Sequence, residues 1–442
     1  MIEKILNNKL LFIGIHIVFG FLGTLPLFPK LYGSLVIIIP VVLIYLSQNN
    51  NEEAFILAAY IAGAEVFIRM TKGFILYETG KYGVILFLVL GILFGKYKQV
   101  FSLQYIFYIL LLLLGIVFTQ VPEGESIRKA IVFNLGGPIG LGIAAIYFYK
   151  RPIKKQEFFN ALFFMLLPLF SMVTYMYFKT PDLKEIVFHS EANFVTSGGF
   201  GPNQVATAIG LGMFVLVVFI ASKTKLSGFL FLDAIFLIYF SYRGLLTFSR
   251  GGILAATISI ILFLFFYSLY KKVSIKILTK YIFIGGFFLV AIWLYTSNIT
   301  GGMLDNRYAG RNKIGVKEDI TSGRLDIIQV QFNNFLEYPL GIGVGNGKYE
   351  RQKSIGKVTA ASHNEVGRLL EEHGIIGFFI LIMLLTVPLF NFLRGDNFQK
   401  AFIISFYVIW FLTINHSAMR IAIPGFIYAL SLIRITDYEE ET

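Results

Sequence analysis

The sequence predicts an all-α polytopic membrane protein with about 12–14 transmembrane helices and one large helical loop on its outer side. The chain of 442 residues has a mean hydropathy of +0.73, and 56% of its residues are hydrophobic. Only 14% are charged, whereas soluble domains carry roughly 25%. Long apolar runs recur along the chain, each long enough to cross about 30 Å of hydrocarbon.

Fourteen apolar runs are the candidate spans, and several of them are short. In chain order they are 10–28, 33–48, 54–70, 82–95, 101–119, 128–149, 158–178, 203–222, 226–246, 251–270, 280–296, 374–393, 400–415 and 418–435. They divide the chain into a transmembrane part at 1–296, a large outer loop at 297–373, and a C-terminal transmembrane part at 374–442.

The distribution of basic residues sets the orientation. The formal charge of +12 comes largely from Lys and Arg clusters between apolar runs, which is the pattern of cytoplasmic membrane anchors and not of a nucleic-acid-binding protein. Placing these clusters in the cytoplasm puts both termini inside. Several basic residues then lie on the outer side, where they are normally scarce, and they suggest an anionic ligand: Arg69, Arg250, Arg324, His363 and Arg420.

The outer loop at 297–373 is the one long polar interruption. Apolar residues from Leu325 to Leu336 recur at three- and four-residue spacing, which predicts an amphipathic helix capped by Thr321 or Ser322 and ended by Pro339. A second helix is predicted to open at Ser362 through a capping box with Glu365, which places His363 in its first turn. Two helix N-termini that carry Arg324 and His363 suit phosphate binding.

A glycine-rich run, LGIGVGNG at 340–347, separates the two predicted helices. It is either a flexible connector or a close-packed turn. It lacks the Lys-Ser/Thr of a nucleotide-binding loop.

Further polar residues are candidates for substrate contact on the same side. Glu65 and Arg69 are four residues apart and can pair on one helix face. Arg243 lies about two helical turns from Arg250, and an intramembrane arginine usually faces a cavity. Asn203 is predicted to cap the next span. The complete set of candidate substrate-binding residues is Arg69, Glu78, Lys81, Arg243, Asn203, Asn364, His416 and Arg420. No metal-binding motif is present in the sequence, and no cysteine is available as a ligand or nucleophile.

Five short motifs in a fixed order resemble the O-antigen ligase and O-antigen polymerase family of bacterial envelope glycosyltransferases. Together with the many spans and the outer loop, they extend the resemblance over roughly 200–395. The motifs are FSRGG at 248–252, SGR at 322–324, PLGIG at 339–343, SHNE at 362–365 and GIIG at 374–377.

The resemblance implies a membrane enzyme of the bacterial inner membrane with a GT-C-like fold and a periplasmic active site. It implies transfer of a glycan from undecaprenyl diphosphate to lipid A–core, by ligases, or to another lipid-linked glycan, by polymerases. It also implies inversion at the anomeric carbon, with no metal or other cofactor. Carried onto this chain, Arg250 and Arg324 hold the diphosphate, and His363 contacts the leaving group or deprotonates the acceptor. Many ligases have a second His shortly before the His-Asn pair, where this chain has Ala360 and Ala361.

A membrane transporter is the alternative of another class, because the length and the number of spans suit it equally well. Transporters often contain inverted repeats and polar residues at the bilayer midplane. No convincing repeat is visible in this sequence, and its polar residues collect at one face. The sequence leaves ligase and polymerase undecided.

Overall fold

The fold is a bundle of α-helices with one two-stranded β-sheet among the described residues. The computed structural model describes residues 2–97, 100, 102–183, 185–186, 188, 191–312, 314–317, 324–355 and 362–437. The first twelve helices are α1 Ile2–Asn7, α2 Lys9–Leu22, α3 Phe28–Ser47, α4 Glu53–Met70, α5 Thr79–Phe94, α6 Leu103–Leu114, α7 Ile127–Phe148, α8 Lys155–Lys179, α9 Pro202–Ser222, α10 Leu230–Leu246, α11 Arg250–Tyr270 and α12 Ile275–Ile299. The others are α13 Met303–Ala309, α14 Arg324–Glu337, α15 Gly347–Ile355, α16 Glu365–Arg394, α17 Asn397–His416 and α18 Ala422–Leu430. The two strands are β1 Pro152–Lys154 and β2 Arg434–Thr436.

The structure confirms an all-α polytopic membrane protein. Within the described residues, seven helices are long and apolar enough to cross a membrane, and an eighth is added if α12 and α13, which meet at 114°, count as one span. Each of the fourteen apolar runs coincides with a helix or part of one. The prediction for 10–28 was wrong at its end, because α2 stops at Leu22 and α3 begins at Phe28.

The loops predicted to be cytoplasmic meet at one end of the bundle. Strands β1 and β2 pair in parallel, with Ile153 opposite Ile435. Lys9 Nζ donates to the carbonyl of Lys225 at 3.1 Å. At the N-terminal end of α4, Arg151 Nε donates to Glu52 at 2.9 Å. Since α4 has 18 residues and is therefore about 27 Å long, Arg69 at its other end belongs to the opposite face.

A short helix occupies the centre of the bundle. All nine residues of α18 are buried, and the prediction of one continuous span over 418–435 was wrong. Before the helix, the backbone N–H of Ala418 donates to His363 O at 3.0 Å. The N–H of Ala422, the first residue of the helix, donates to Glu65. After it, the N–H of Lys150 donates to Leu432 O at 3.0 Å. These tertiary bonds replace helix bonds at both ends, so the apolar run is longer than the helix.

The predicted amphipathic helix of the outer loop is present as α14, but its polar side faces the protein. Gln331 is 1% exposed and donates to Glu371 Oε2 at 3.3 Å, while Asn334 donates to Glu371 Oε1 at 2.9 Å. The apolar side points outward, with Phe332 53% and Leu336 63% exposed. An amphipathic helix with its apolar side outward is typical of a helix that lies in a membrane interface. The predicted caps Thr321 and Ser322 lie outside the described residues.

The glycine-rich run is a close-packed turn. The backbone amides of Ile342 and Gly343 donate to the carbonyls of Glu371 and Glu372 at 3.0 and 3.1 Å. Gly343 has a φ of +90°, and a Cβ there would lie 2.2 Å from Phe118 O. Gly374, with φ of 56° and ψ of −134°, interrupts α16 opposite this turn. Glycine is the residue that adopts such backbone angles without steric cost.

Candidate active site

Two arginines connect the start of α11 to α13 at the outer end of the bundle. Arg250 is the first residue of α11, and its Nη1 donates to the carbonyl of Arg307 at 3.2 Å. Arg307 lies on α13, and its Nε donates to the carbonyl of Phe248 at 3.0 Å. Phe248 has a φ of +56° and stacks on Phe188 at a ring distance of 5.4 Å. The bond from Arg307 therefore fixes the turn from which Arg250 projects.

A third guanidinium faces this pair. Arg324 is the first residue of α14 and is partly exposed. Burial and the charge of Arg250 lower the pKa of Arg324. Burial, followed by the charges of Arg250 and Arg324, also lowers the pKa of Arg307, whereas Glu191 raises it. No carboxylate of the described residues forms an ion pair with Arg324. Three repelling cations gathered at a partly open site favour a bound anion.

Hydrogen bonds to Ser362 and His363 fix the backbone around His363. The carbonyl of His363 accepts from Ala418 N at 3.0 Å, and the carbonyl of Ser362 accepts from Arg420 Nη2 at 2.8 Å. Ser362 Oγ accepts from Gln331 of α14 at 3.1 Å. It also accepts from the N–H of Asn364 at 3.1 Å.

The predicted capping box at Ser362 was wrong. Asn364 is the N-cap of α16, and its side chain accepts from Gly367 N at 3.1 Å. Glu365 instead pairs with Arg368. Because the helix begins two residues later than predicted, His363 precedes the first turn and its imidazole is exposed. The nearby protein still removes part of its water. That loss and the charges of Arg420 and Arg324 lower the pKa of His363 to about 4.

Asn203 and His416 connect the two sides of the site. Asn203 was predicted to cap its helix, but Gly201 is the N-cap of α9. The amide oxygen of Asn203 accepts from Ser249 Oγ at 2.8 Å, and its Nδ2 donates to the carbonyl of His416 at 3.4 Å. These bonds tie the N-terminus of α11, which carries Arg250, to the segment that holds His363.

Arg69, Glu78 and Lys81 form a buried ionic network beneath Arg420. Arg69 pairs with Glu65, as the spacing predicted, and with Glu78 at 3.0 Å. Lys81 pairs with Glu78. Arg69 Nη1 also donates to the carbonyl of Arg420 at 3.0 Å. Since these side chains are at most 9% exposed, their contacts stabilise the segment between α17 and α18 that contains Arg420.

Arg243 lies apart from these residues. Its Nη2 donates to Thr180 Oγ1 at 3.0 Å and to the carbonyl of Thr196 at 3.3 Å. These bonds tie the end of α10 to the segment between α8 and α9. They give Arg243 a structural role, and a contact with substrate stays a prediction.

Sequence reasoning missed Arg307. The signal was available, because Arg307 is a basic residue in the predicted outer loop, and such residues had singled out Arg250 and Arg324. Among the described residues, no group of three or more His, Cys, Asp or Glu side chains is placed to hold a metal ion.

Comparison with known proteins gives one match. The model of the family described as O-antigen ligase matches residues 234–382, a range that includes Arg250, Arg307, Arg324 and His363. The match confirms the resemblance of the motifs and indicates a glycan-transferring membrane enzyme. Searches of the curated proteins and of the solved structures returned no match.

Proposed function

We propose that this chain, whose residues 234–382 match the model of the O-antigen ligase family, transfers a glycan from undecaprenyl diphosphate to an acceptor hydroxyl. The observation that carries the proposal is the convergence of Arg250, Arg307 and Arg324 beside the exposed imidazole of His363. In this proposal the enzyme lies in the bacterial inner membrane, both termini are cytoplasmic and the site faces the periplasm.

The three arginines suit a diphosphate leaving group. Guanidinium groups bind phosphate oxygens in a bidentate manner. Fixed donors aimed at developing negative charge lower the barrier without reorganisation during the reaction. The lipid diphosphate is already an activated donor, so the arginines supply the charge neutralisation and the proposal includes no metal or other cofactor.

The chemical step is a single displacement. The acceptor oxygen attacks the anomeric carbon, and the new C–O bond forms as the bond between that carbon and the diphosphate oxygen breaks. The diphosphate leaves with the bonding electrons, and the hydroxyl proton passes to the imidazole of His363. Its low pKa keeps His363 neutral at pH 7, which is the form that accepts a proton. One direct displacement inverts the anomeric centre.

The outward apolar side of α14 suits the lipid part of the donor. Leu325 is 61% exposed and follows Arg324 directly, and Phe332 and Leu336 extend the stripe along the helix. A helix with this stripe binds the boundary between headgroups and acyl chains. The diphosphate of a lipid held along this stripe would lie beside Arg324.

The experiment that tests the function is transfer by purified protein in EDTA, with undecaprenyl-diphosphate glycan as donor. Lipid A–core is offered in one reaction and a second lipid-linked glycan in another. Glycan on the lipid core supports a ligase, which is the leading proposal, and longer lipid-linked glycans support a polymerase. Absence of transfer to both, by protein that remains folded, contradicts the proposal.

The pH dependence is expected to differ between kcat/KM and kcat. Below its pKa, His363 is protonated and cannot act as a base. Since kcat/KM reports the free enzyme, it should stay level from pH 8 to about pH 5 and fall near the pKa of about 4. Bound diphosphate offsets the nearby arginines and raises the pKa of His363, so the acid limb of kcat lies at higher pH. An acid limb of kcat/KM near pH 6.5 that is absent in His363→Gln would contradict the low pKa of His363 in the free enzyme.

Arg307→Lys is expected to lower the transfer rate about tenfold although the charge is kept. Lysine cannot reproduce the Nε bond to Phe248 O, and hydrogen bonds to charged groups contribute roughly 1.5–3 kcal/mol. Initial rates at saturating acceptor measure the loss. Arg311→Lys, at an exposed arginine of the same loop, is the matched control. Equal transfer rates for Arg307→Lys and wild type would contradict a role of Arg307 in the active site.

A further inference from the structure

A concave site opens beside Ser362, the residue that precedes His363. It is a cavity of about 720 Å³ between the start of α5, the start of α7, α15 and α16. Ser362 and Arg420 form part of its wall. Ser362 is the neighbour of His363 in the chain, and the charge of Arg420 contributes to the low pKa of His363. The cavity wall therefore includes the chain neighbour of His363 and one of the two arginines whose charges act on its imidazole.

The charged side chains of the cavity wall are mostly basic. Of the three acidic residues of the wall, Glu372 binds Arg368 and Glu125 lies 3.8 Å from Lys348. The wall residue Arg351 binds Glu371, which lies outside the wall, at 2.7 Å. The remaining acid of the wall, Glu78, pairs with Arg69 and Lys81. Three basic residues of the wall have no carboxylate partner among the residues described by the structure: Arg128, Lys129 and Arg420.

Arg420 is the most enclosed of these three. Its guanidinium donates to the carbonyl of Ser362 at 2.8 Å and lies 4.1 Å from the ring centre of Phe133. Neither partner carries a negative charge. The pKa of Arg420 is lowered to about 10, mainly by burial and secondly by the charge of Arg368. The charges of Glu365 and Glu372 offset part of this effect, but neither carboxylate forms an ion pair with Arg420. An enclosed cation without an ion-paired carboxylate is costly unless a ligand supplies one.

We propose that this cavity binds the acceptor through a phosphate group, which Arg128, Lys129 and Arg420 hold while the acceptor hydroxyl meets His363. The inference rests on the proposed glycan transfer and names the chemical class of the acceptor. Tyr77 and Tyr82 also line the cavity, and aromatic rings pack on the apolar faces of sugars. The volume lies within the roughly 300–1,000 Å³ of ligand pockets. Two phosphate-bearing acceptors share this chemistry, a phosphorylated glycolipid core and a second lipid-diphosphate glycan.

The test removes two exposed charges that form no ion pair with a described residue. Arg128 and Lys129 are exposed, so the double variant Arg128→Gln/Lys129→Gln retains every ion pair described above. Its matched control is Lys72→Gln/Lys179→Gln, which removes two exposed charges from predicted outer loops away from the cavity. Initial rates are measured in EDTA with one donor and with each acceptor in two forms. The lipid core is used with and without its phosphates. The second glycan is joined to undecaprenyl either through the diphosphate or directly through a glycosidic bond, which serves as its dephosphorylated form.

Wild type is expected to prefer the phosphorylated acceptor by tenfold or more in kcat/KM. The double variant should raise the KM for that acceptor roughly tenfold to hundredfold. Its kcat, its KM for the donor and its rate with the dephosphorylated acceptor should match those of the control. The acceptor that shows this phosphate-dependent loss identifies the source of the phosphate.

Three results overturn the inference, and they can be distinguished from one another. A wild-type enzyme that transfers glycan with equal kcat/KM to both forms of each acceptor overturns the inference alone. The same holds if the double variant loses activity equally with both forms. A wild-type enzyme that transfers glycan to none of the acceptors overturns the proposed function together with the inference.

Discussion

Arg324→Ala is expected to lower glycan transfer by roughly 10²–10³-fold, the loss that follows removal of one donor to developing negative charge. Arg324 begins α14, repels Arg250 electrostatically and forms no ion pair with a described carboxylate. Its charge is therefore available to the leaving diphosphate. The loss should fall on kcat, because the charge on the bridging oxygen grows as its bond to the anomeric carbon breaks.

Two further variants serve as controls for Arg324→Ala. Arg324→Lys keeps the charge without the bidentate fork and should recover part of the rate. Arg311→Ala removes an exposed arginine of the same loop and should behave as wild type. Full activity of Arg324→Ala, in protein of unchanged yield and thermal stability, would contradict a role in binding the diphosphate.

His363→Ala is expected to lower kcat by roughly 10²–10⁴-fold, the contribution of a general base. Binding of undecaprenyl diphosphate should change little, because the arginines remain. The variant is well suited to this test, since the imidazole is exposed and the bond from Ala418 goes to the backbone carbonyl of His363. The local backbone should therefore keep its position after substitution.

A parallel binding measurement distinguishes the two roles that the sequence left open for His363. If donor affinity stays within about threefold of wild type while turnover is lost, His363 is the base. If donor affinity falls along with turnover, His363 is instead a ligand of the diphosphate. Unchanged turnover would exclude both roles.

The sequence predicted the helices well because hydropathy and periodicity are local properties. Its errors occur where tertiary contacts determine where a helix begins or which side of it faces the protein. Ser and Asn are both common N-cap residues, so the sequence could not choose between Ser362 and Asn364. In the structure Ser362 Oγ accepts from Gln331 and from the N–H of Asn364, and Asn364 is the N-cap. The run at 418–435 is apolar throughout, but bonds to His363 and Glu65 delay its helix until Ala422. Periodicity detected α14 and could not reveal that Glu371 binds its polar side.

The candidate site was predictable in part, because orientation alone placed Arg250, Arg324 and His363 on one face. Their convergence with Arg307 depends on the bend between α12 and α13, which no local pattern indicates. The sequence also could not choose between ion pairing and substrate contact for Arg69, Glu78 and Lys81. The structure pairs all three in a buried network.

The most direct test of the central claim is the amount of free undecaprenyl diphosphate that the purified enzyme forms from donor and acceptor in EDTA. The proposed displacement predicts one equivalent of undecaprenyl diphosphate for each glycan transferred, and loss of both products in Arg324→Ala. Folded wild-type protein that forms neither product with lipid A–core or with a lipid-linked glycan, but moves lipid-linked glycan across vesicle membranes, would contradict the proposal in favour of a transporter.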